Sequence, residues 1–145
     1  METRPNKDDY YLGIAAAVAK RSTCLRRQYG AVIVKNDEIV STGYNGAPRG
    51  VENCCDVGVC GREGHAHNDG DYRSCQSVHA EMNAIISASR QEMIGSTLYL
   101  YGTENGIPVH SEPCPICKRL IQNAGIERVC GSLIGTWRSD DEQKK

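Results

Sequence analysis

The most constraining feature of the sequence is a pair of short motifs that carry metal-binding side chains. His79-Ala80-Glu81 places an imidazole and a carboxylate two residues apart, and Pro113-Cys114-Pro115-Ile116-Cys117 places two thiols three residues apart. An imidazole, two thiolates and a nearby carboxylate are the groups of a catalytic zinc site that keeps its fourth position open. The fold must therefore bring together two motifs that lie far apart along the chain.

Both motifs are predicted to lie at the start of a helix. Residues 78–90 carry apolar side chains at helical spacing, with Ser77 as the N-cap and Ile86 beside the buried face. Residues 113–124 carry a second apolar stripe that includes both thiols, and Gly125 is the expected left-handed C-cap. Two positive helix ends at one metal would favour the negative charge that gathers there.

The other predicted elements are one helix and several short strands. Residues 8–21 show an apolar helical stripe, and residues 30–43 are typical of a β-hairpin with Asn36-Asp37 in the turn. Residues 97–101 and 126–133 are predicted strands, with Cys130 as a small buried residue. Residues 102–112 are predicted to form a polar loop in which His110 lies at the surface.

Length and charge narrow the class of protein. A chain of 145 residues is expected to form one domain, residues 1–145. The net charge of -1 provides no broad basic field, which argues against a protein that grips long nucleic acid by its phosphates. No signal peptide and no stretch able to span a membrane are recognisable, so we expect a cytoplasmic protein with mostly reduced cysteines.

A cysteine-rich segment suggests a second metal. Residues 51–78 have no clear periodicity and little apolar material, so they would be hard to order alone. A thiolate-rich structural zinc would order them, whereas free thiols or a redox disulfide are the alternatives. The side chains concerned are Cys54, Cys55, Cys60, His65, His67 and Cys75.

The spacing of the two motifs also indicates a reaction. His-x-Glu followed by Pro-Cys-x-x-Cys is the signature of zinc-dependent nucleobase deaminases. In that reading His79, Cys114 and Cys117 hold the zinc, which lowers the pKa of a water toward neutrality. Glu81 moves protons from the water to the ring nitrogen and then to the leaving ammonia.

At these residues the sequence resembles the zinc-dependent cytidine and deoxycytidylate deaminase family, and within it the bacterial and phage dCMP deaminase branch. The resemblance implies an α/β fold, a three-layer α/β/α sandwich with a central mixed sheet. It also implies that His79, Cys114 and Cys117 bind zinc and that Glu81 shuttles protons in the conversion of dCMP to dUMP. The matching stretches are residues 29–34, 41–46, 53–56, 78–85, 113–117 and 123–126.

The resemblance further implies contacts and regulation. Asn45 would contact the sugar, and the backbone N–H of Ala80 would meet the base carbonyl. Family members are often hexamers that dCTP activates and dTTP inhibits. Arg26 and Arg27 are candidates for the 5′-phosphate by charge alone. Some phage relatives carry a second, structural zinc, for which the thiols here would be Cys24, Cys54, Cys60 and Cys75, with His65 or His67 as replacements.

The sequence departs from the family pattern in two places. The loop before the zinc cysteines, residues 101–112, is longer than usual, so we expect a reshaped pocket. The chain also ends soon after its fourth predicted strand, so we expect the last helix and strand of the typical fold to be missing. That expectation puts the usual oligomer contacts in doubt.

Two other functions compete with dCMP deamination. The first is deamination of another small base or nucleoside, such as cytidine or guanine. The second is a non-enzymatic zinc-binding module that uses the cysteines structurally. A structural site has no use for a carboxylate beside the metal, so Glu81 favours the enzyme.

Overall fold

A mixed six-stranded sheet forms the centre of the molecule, in a computed structural model that describes residues 4–50 and 77–138. Its strands follow the order β2-β1-β3-β5-β6, and β4 pairs with β3 outside this path. β3 and β5 run parallel, whereas the other neighbours run antiparallel. The strands are β1 (Gln28–Lys35), β2 (Glu38–Tyr44), β3 (Thr97–Glu104), β4 (Ile107–Val109), β5 (Arg128–Gly131) and β6 (Gly135–Arg138).

Helices cover both faces of this sheet. They are α1 (Lys7–Ala19), α2 (Ala80–Ile86), α3 (Arg90–Met93) and α4 (Pro115–Ala124). Because side chains alternate along a strand, Ala31 and Ile33 of β1 pack with α2 and α4, whereas Val32 and Val34 pack with α1. The predicted α/β/α sandwich with a mixed sheet is confirmed. We call the side covered by α2 and α4 the catalytic face and the opposite side the α1 face.

Local sequence explains where several elements begin and turn. Asn6 caps α1 by accepting a hydrogen bond from the N–H of Asp9. The predicted β1–β2 hairpin is confirmed, with φ angles of 53° at Asn36 and 61° at Asp37. A side chain at Gly30 would place its Cβ 2.1 Å from the carbonyl oxygen of Ala15, so this glycine lets α1 lie directly on β1.

The predicted helix over residues 78–90 is wrong in its extent. The chain forms α2, breaks, and starts α3 at an N-cap on Ser89, whose side chain and that of Glu92 form a capping box. This local cap competes with continuation of α2. The N-cap of α2 is His79 rather than Ser77, and Ile86 is exposed on the last turn.

Two further differences concern strands. The predicted polar loop over residues 102–112 is partly a β-hairpin, in which β3 continues to Glu104 and returns as β4 through Asn105-Gly106, with φ angles of 54° and 78°. The sequence also predicted no strand over residues 135–138, where β6 pairs antiparallel with β5. His110 is exposed and Cys130 is buried, as predicted.

None of the helices within residues 4–50 and 77–138 is long and apolar enough to cross a membrane. The predictions for Cys54, Cys55, Cys60, His65, His67 and Cys75 lie outside the described residues.

Candidate active site

Two helix starts bring the predicted metal ligands together on the catalytic face. His79 is the N-cap of α2 and Cys114 is the N-cap of α4, with Cys117 in the first turn of α4. The Nδ1 atom of His79 lies 3.5 Å from the Sγ of Cys114 and 3.3 Å from the Sγ of Cys117. Within residues 4–50 and 77–138, this is the one group of three or more such side chains whose ligand atoms all lie within 4.8 Å of one another.

The spacing of these three atoms suits a zinc ion. A tetrahedral zinc with bonds of about 2.0–2.1 Å to nitrogen and about 2.3 Å to sulfur places N and S about 3.5 Å apart. The observed N···S distances of 3.5 Å and 3.3 Å agree with this value. Both thiols are buried, as expected of ligands sheltered from competing water. The residues present therefore fit the metal, with three protein ligands.

Proton sharing between the thiols also favours a cation. The hydrogen bond from Cys117, aided by His79, lowers the pKa of Cys114 to about 4 although burial opposes the shift. The hydrogen bond to Cys114, burial and the charge of Glu81 raise the pKa of Cys117. The two shifts have opposite directions because the thiols share one hydrogen bond, and a metal would be bound by both of them as thiolates.

Glu81 lies beside the ligands in the first turn of α2. Its side chain is 5% exposed, and burial raises its pKa although hydrogen bonds to its own backbone and to Cys117 oppose the shift. A buried carboxylate with a raised pKa beside metal-binding side chains is the environment in which general acid–base residues are found. The carboxylate of Glu81 therefore lies next to the side chains that are predicted to bind the metal.

Asn45, the predicted sugar contact, makes several hydrogen bonds within the protein. It is buried, its Oδ1 lies 2.8 Å from the N–H of Tyr29 and 2.5 Å from the hydroxyl of Ser22, and its Nδ2 donates to the carbonyl of Arg27. The amide therefore ties the start of β1 to the loop after α1. One N–H of Nδ2 has no partner within residues 4–50 and 77–138.

Of the two candidate arginines, Arg27 contacts a carboxylate and a phenol. The Nε of Arg27 lies 3.5 Å from Oε1 of Glu104, and its Nη1 lies 3.4 Å from the hydroxyl of Tyr29. Arg26 is half-buried in the loop that leads to β1. Sequence reasoning singled out neither Tyr29 nor Glu104. The alternation of side chains along β1 could have indicated Tyr29, because it places this residue on the same face of the sheet as Ala31 and Ile33.

Comparisons with known proteins agree with this geometry. Residues 5–132 match the family model described as the cytidine and deoxycytidylate deaminase zinc-binding region. The deoxycytidylate deaminase of Mycobacterium phage D29 is 44% identical over 133 residues, which cover 88% of this chain and 94% of that protein. The deoxycytidylate deaminase of Schizosaccharomyces pombe is 38% identical over 87% of this chain, which spans 37% of that protein.

A solved structure shares both fold and sequence. The dCMP deaminase of the cyanophage S-TIM5, in complex with dCMP and dUMP, superposes with a TM-score of 0.60 and 28% identity. The match covers 90% of this chain and 83% of that one. The likeness therefore extends over nearly the whole of both chains rather than over the metal motifs alone.

Proposed function

The chain belongs to the cytidine and deoxycytidylate deaminase family, and from that premise we propose that it converts dCMP and water to dUMP and ammonia. The single structural observation that carries the proposal is the convergence of His79, Cys114 and Cys117 with the carboxylate of Glu81 beside them. The names of the phage D29 and S. pombe relatives, and the dCMP and dUMP held by the S-TIM5 enzyme, support this substrate.

The residues of the chain divide the chemistry between them. Zinc held by His79, Cys114 and Cys117 would supply Lewis-acid activation of the attacking water. The carboxylate of Glu81 takes a proton from that water and delivers it to N3 of the cytosine ring. It then moves the second proton to the leaving amino group, so that the carboxylate ends the cycle ionised as it began. Its burial excludes bulk water from this transfer.

Other residues would hold the nucleotide. Ala80 is the first residue of α2, so its N–H is one of the amides that the helix leaves unsatisfied and is available to the base carbonyl. The remaining N–H of Asn45 would reach the sugar. Arg26 and Arg27 would provide positive charge for the 5′-phosphate.

A second zinc is a separate proposal. Cys24 lies half-buried in the loop between α1 and β1, and Cys54, Cys60 and Cys75 would complete a four-thiolate set. Metal analysis of the purified chain tests this directly. About two zinc ions per chain support the second site, and about one contradicts it.

Organisation and regulation also stay predictions. We propose one deaminase domain over residues 1–145, a cytoplasmic location and a homo-oligomer that responds to dCTP and dTTP. Light scattering with and without each triphosphate, alongside turnover, measures the assembly and the response.

Substrate comparison tests the proposed reaction. Ammonia release is measured with dCMP, deoxycytidine, cytidine and guanine at equal concentrations. We expect dCMP to react fastest. Equal rates with deoxycytidine would contradict the nucleotide assignment, and no ammonia from any of them would favour the zinc-binding module.

A further inference from the structure

A row of three side chains, Tyr29, Arg27 and Glu104, lies on the catalytic face, and the mechanism gives no role to Tyr29 or Glu104. Tyr29 packs against the cluster that contains Ala80 of α2, as do Ala31 and Ile33 further along β1. Tyr29 pairs with Gly102 of β3, and Gln28 pairs with Thr103 at the end of the two strands. Arg27 and Glu104 are the next residues beyond this last pair, and they contact each other at 3.5 Å. The row therefore leads outward from the start of α2, where Glu81 lies.

The ring of Tyr29 is fixed by a glycine. A Cβ added at Gly102 would lie 2.4 Å from Cε1 of Tyr29, which is closer than real atoms approach. The ring therefore lies directly on the backbone of β3, in space that any other residue at 102 would fill. The backbone of Tyr29 is held as well, because its N–H donates to Asn45 at 2.8 Å.

The hydroxyl of Tyr29 has a donor capacity that the fold leaves unused. It accepts a hydrogen bond from Nη1 of Arg27 at 3.4 Å, and it donates to no group within residues 4–50 and 77–138. Burial raises the pKa of Tyr29, and the charges of Glu81 and Glu104 act in the same direction, so the phenol keeps its proton at neutral pH. The protonated, half-buried phenol of Tyr29 can thus donate a hydrogen bond to a ligand.

Arg27 adds a positive charge to the same place. Glu104 is the last residue of β3, and its carboxylate lies 3.5 Å from the Nε atom of Arg27. The Nη2 atom has no partner within the described ranges, and the side chain is 22% exposed. A guanidinium and a phenol whose N–H and O–H groups lie side by side suit an oxygen-rich anion, because both donate and neither needs to accept.

We propose that the hydroxyl of Tyr29 binds the 5′-phosphate of the nucleotide beside Arg27, an inference that rests on the proposed deamination of dCMP. Glu104 holds the guanidinium on the catalytic face when no nucleotide is bound. The base of the substrate would lie at Glu81 and the metal ligands. The sugar and phosphate would then extend from the start of α2 toward Tyr29 and Arg27. A neutral nucleoside would leave this pair of donors without its acceptor, and the site would therefore prefer the monophosphate.

The test measures the preference for dCMP over deoxycytidine, expressed as the ratio of the two kcat/KM values. Tyr29→Phe removes only the hydroxyl and keeps the ring on Gly102. We expect the ratio to fall roughly 10-fold to 100-fold, the value of a hydrogen bond to a charged group. Arg27→Met, which keeps the apolar stem, is expected to lower the ratio further.

Tyr101→Phe is the matched control, because Tyr101 lies on β3 but packs on the α1 face. It should leave the ratio at its wild-type value. An unchanged ratio in both Tyr29→Phe and Arg27→Met would overturn the inference while leaving the deaminase assignment in place. A wild-type enzyme that shows no preference for dCMP would overturn the proposed substrate and this inference together.

Discussion

The two faces of the sheet use the same kinds of side chain in opposite ways. On the α1 face, Asp8 accepts hydrogen bonds from Tyr99 at 2.8 Å and from Arg128 at 2.5 Å. On the catalytic face, two buried thiols, an imidazole and the carboxylate of Glu81 meet, and no ion pair within residues 4–50 and 77–138 neutralises that carboxylate. The carboxylate of Asp8 is paired with Arg128 and stabilises the fold. The carboxylate of Glu81 is buried beside metal-binding side chains, which is the arrangement expected of a functional site.

The tyrosines show the same contrast in one residue type. Tyr11 donates to Asp37, and this hydrogen bond raises the pKa of Tyr11 to about 12. Burial and the hydrogen bond to Asp8 raise the pKa of Tyr99 to about 12. Tyr29 instead accepts from Arg27, and its own O–H donates to no group within residues 4–50 and 77–138. The direction of the hydrogen bond therefore separates a tyrosine that completes the fold from one available to a ligand.

The largest expected effect comes from replacing a buried cysteine on each face. Cys117→Ser should abolish metal binding and lower turnover more than about 1,000-fold, because the metal supplies several kcal/mol of the rate acceleration. Cys130→Ser on the α1 face, where Cys130 is 4% exposed, should keep metal and turnover. It should cost about 1–3 kcal/mol of unfolding free energy, because a hydroxyl is buried in an apolar cluster.

Metal content, turnover and urea unfolding of both variants measure this difference. The contrast between the faces would break if Cys130→Ser lost its metal, or if Cys117→Ser retained both metal and turnover.

A smaller effect, confined to stability, is expected at the ion pair on the α1 face. Arg128 holds the pKa of Asp8 below its usual range. The pair therefore stabilises the fold above the unfolded pKa of about 3.9, and this contribution is lost as the pH falls through the lower folded value. Because Asp8 is 42% exposed, solvent screening limits the gain to at most about 1 kcal/mol.

Asp8→Asn should thus lower the unfolding free energy slightly at pH 7 and differ less and less from wild type below about pH 4. Urea titrations across this range check the trend, with turnover at pH 7 as the control. A loss of turnover with unchanged stability would assign Asp8 to the site and remove the distinction between the faces.

Local signals in the sequence predicted much of the fold and the metal centre. The spacing of His79-x-Glu81 and Cys114-x-x-Cys117 needs only helix geometry to bring each pair together, and the left-handed turn at Gly125, with φ of 84°, follows from glycine chemistry. The β3–β4 hairpin was missed although Asn105-Gly106 is a strong turn signal, because the polar residues around it outweighed that signal.

Other features depend on partners far along the chain. The buried amide of Asn45 forms hydrogen bonds with Ser22, Arg27 and Tyr29. No local sequence pattern predicts these hydrogen bonds, because the partners lie 16 or more residues away along the chain. Ser89 and Glu92 have the spacing of a capping box and so indicate a helix start. The helical periodicity on both sides of them instead predicts one continuous helix. The acceptors of Tyr11 and Tyr99 are likewise distant in sequence, since Tyr11 donates to Asp37 and Tyr99 donates to Asp8.

Glu81→Gln tests the central claim most directly, because it removes the proton acceptor while keeping the shape of the buried side chain. Zinc per chain and turnover with dCMP are measured on the same preparation. We predict wild-type zinc content with turnover lowered about 100-fold to 10,000-fold, the usual share of general acid–base catalysis. Wild-type turnover in this variant would contradict the assignment of Glu81 and of the catalytic face as the site of reaction.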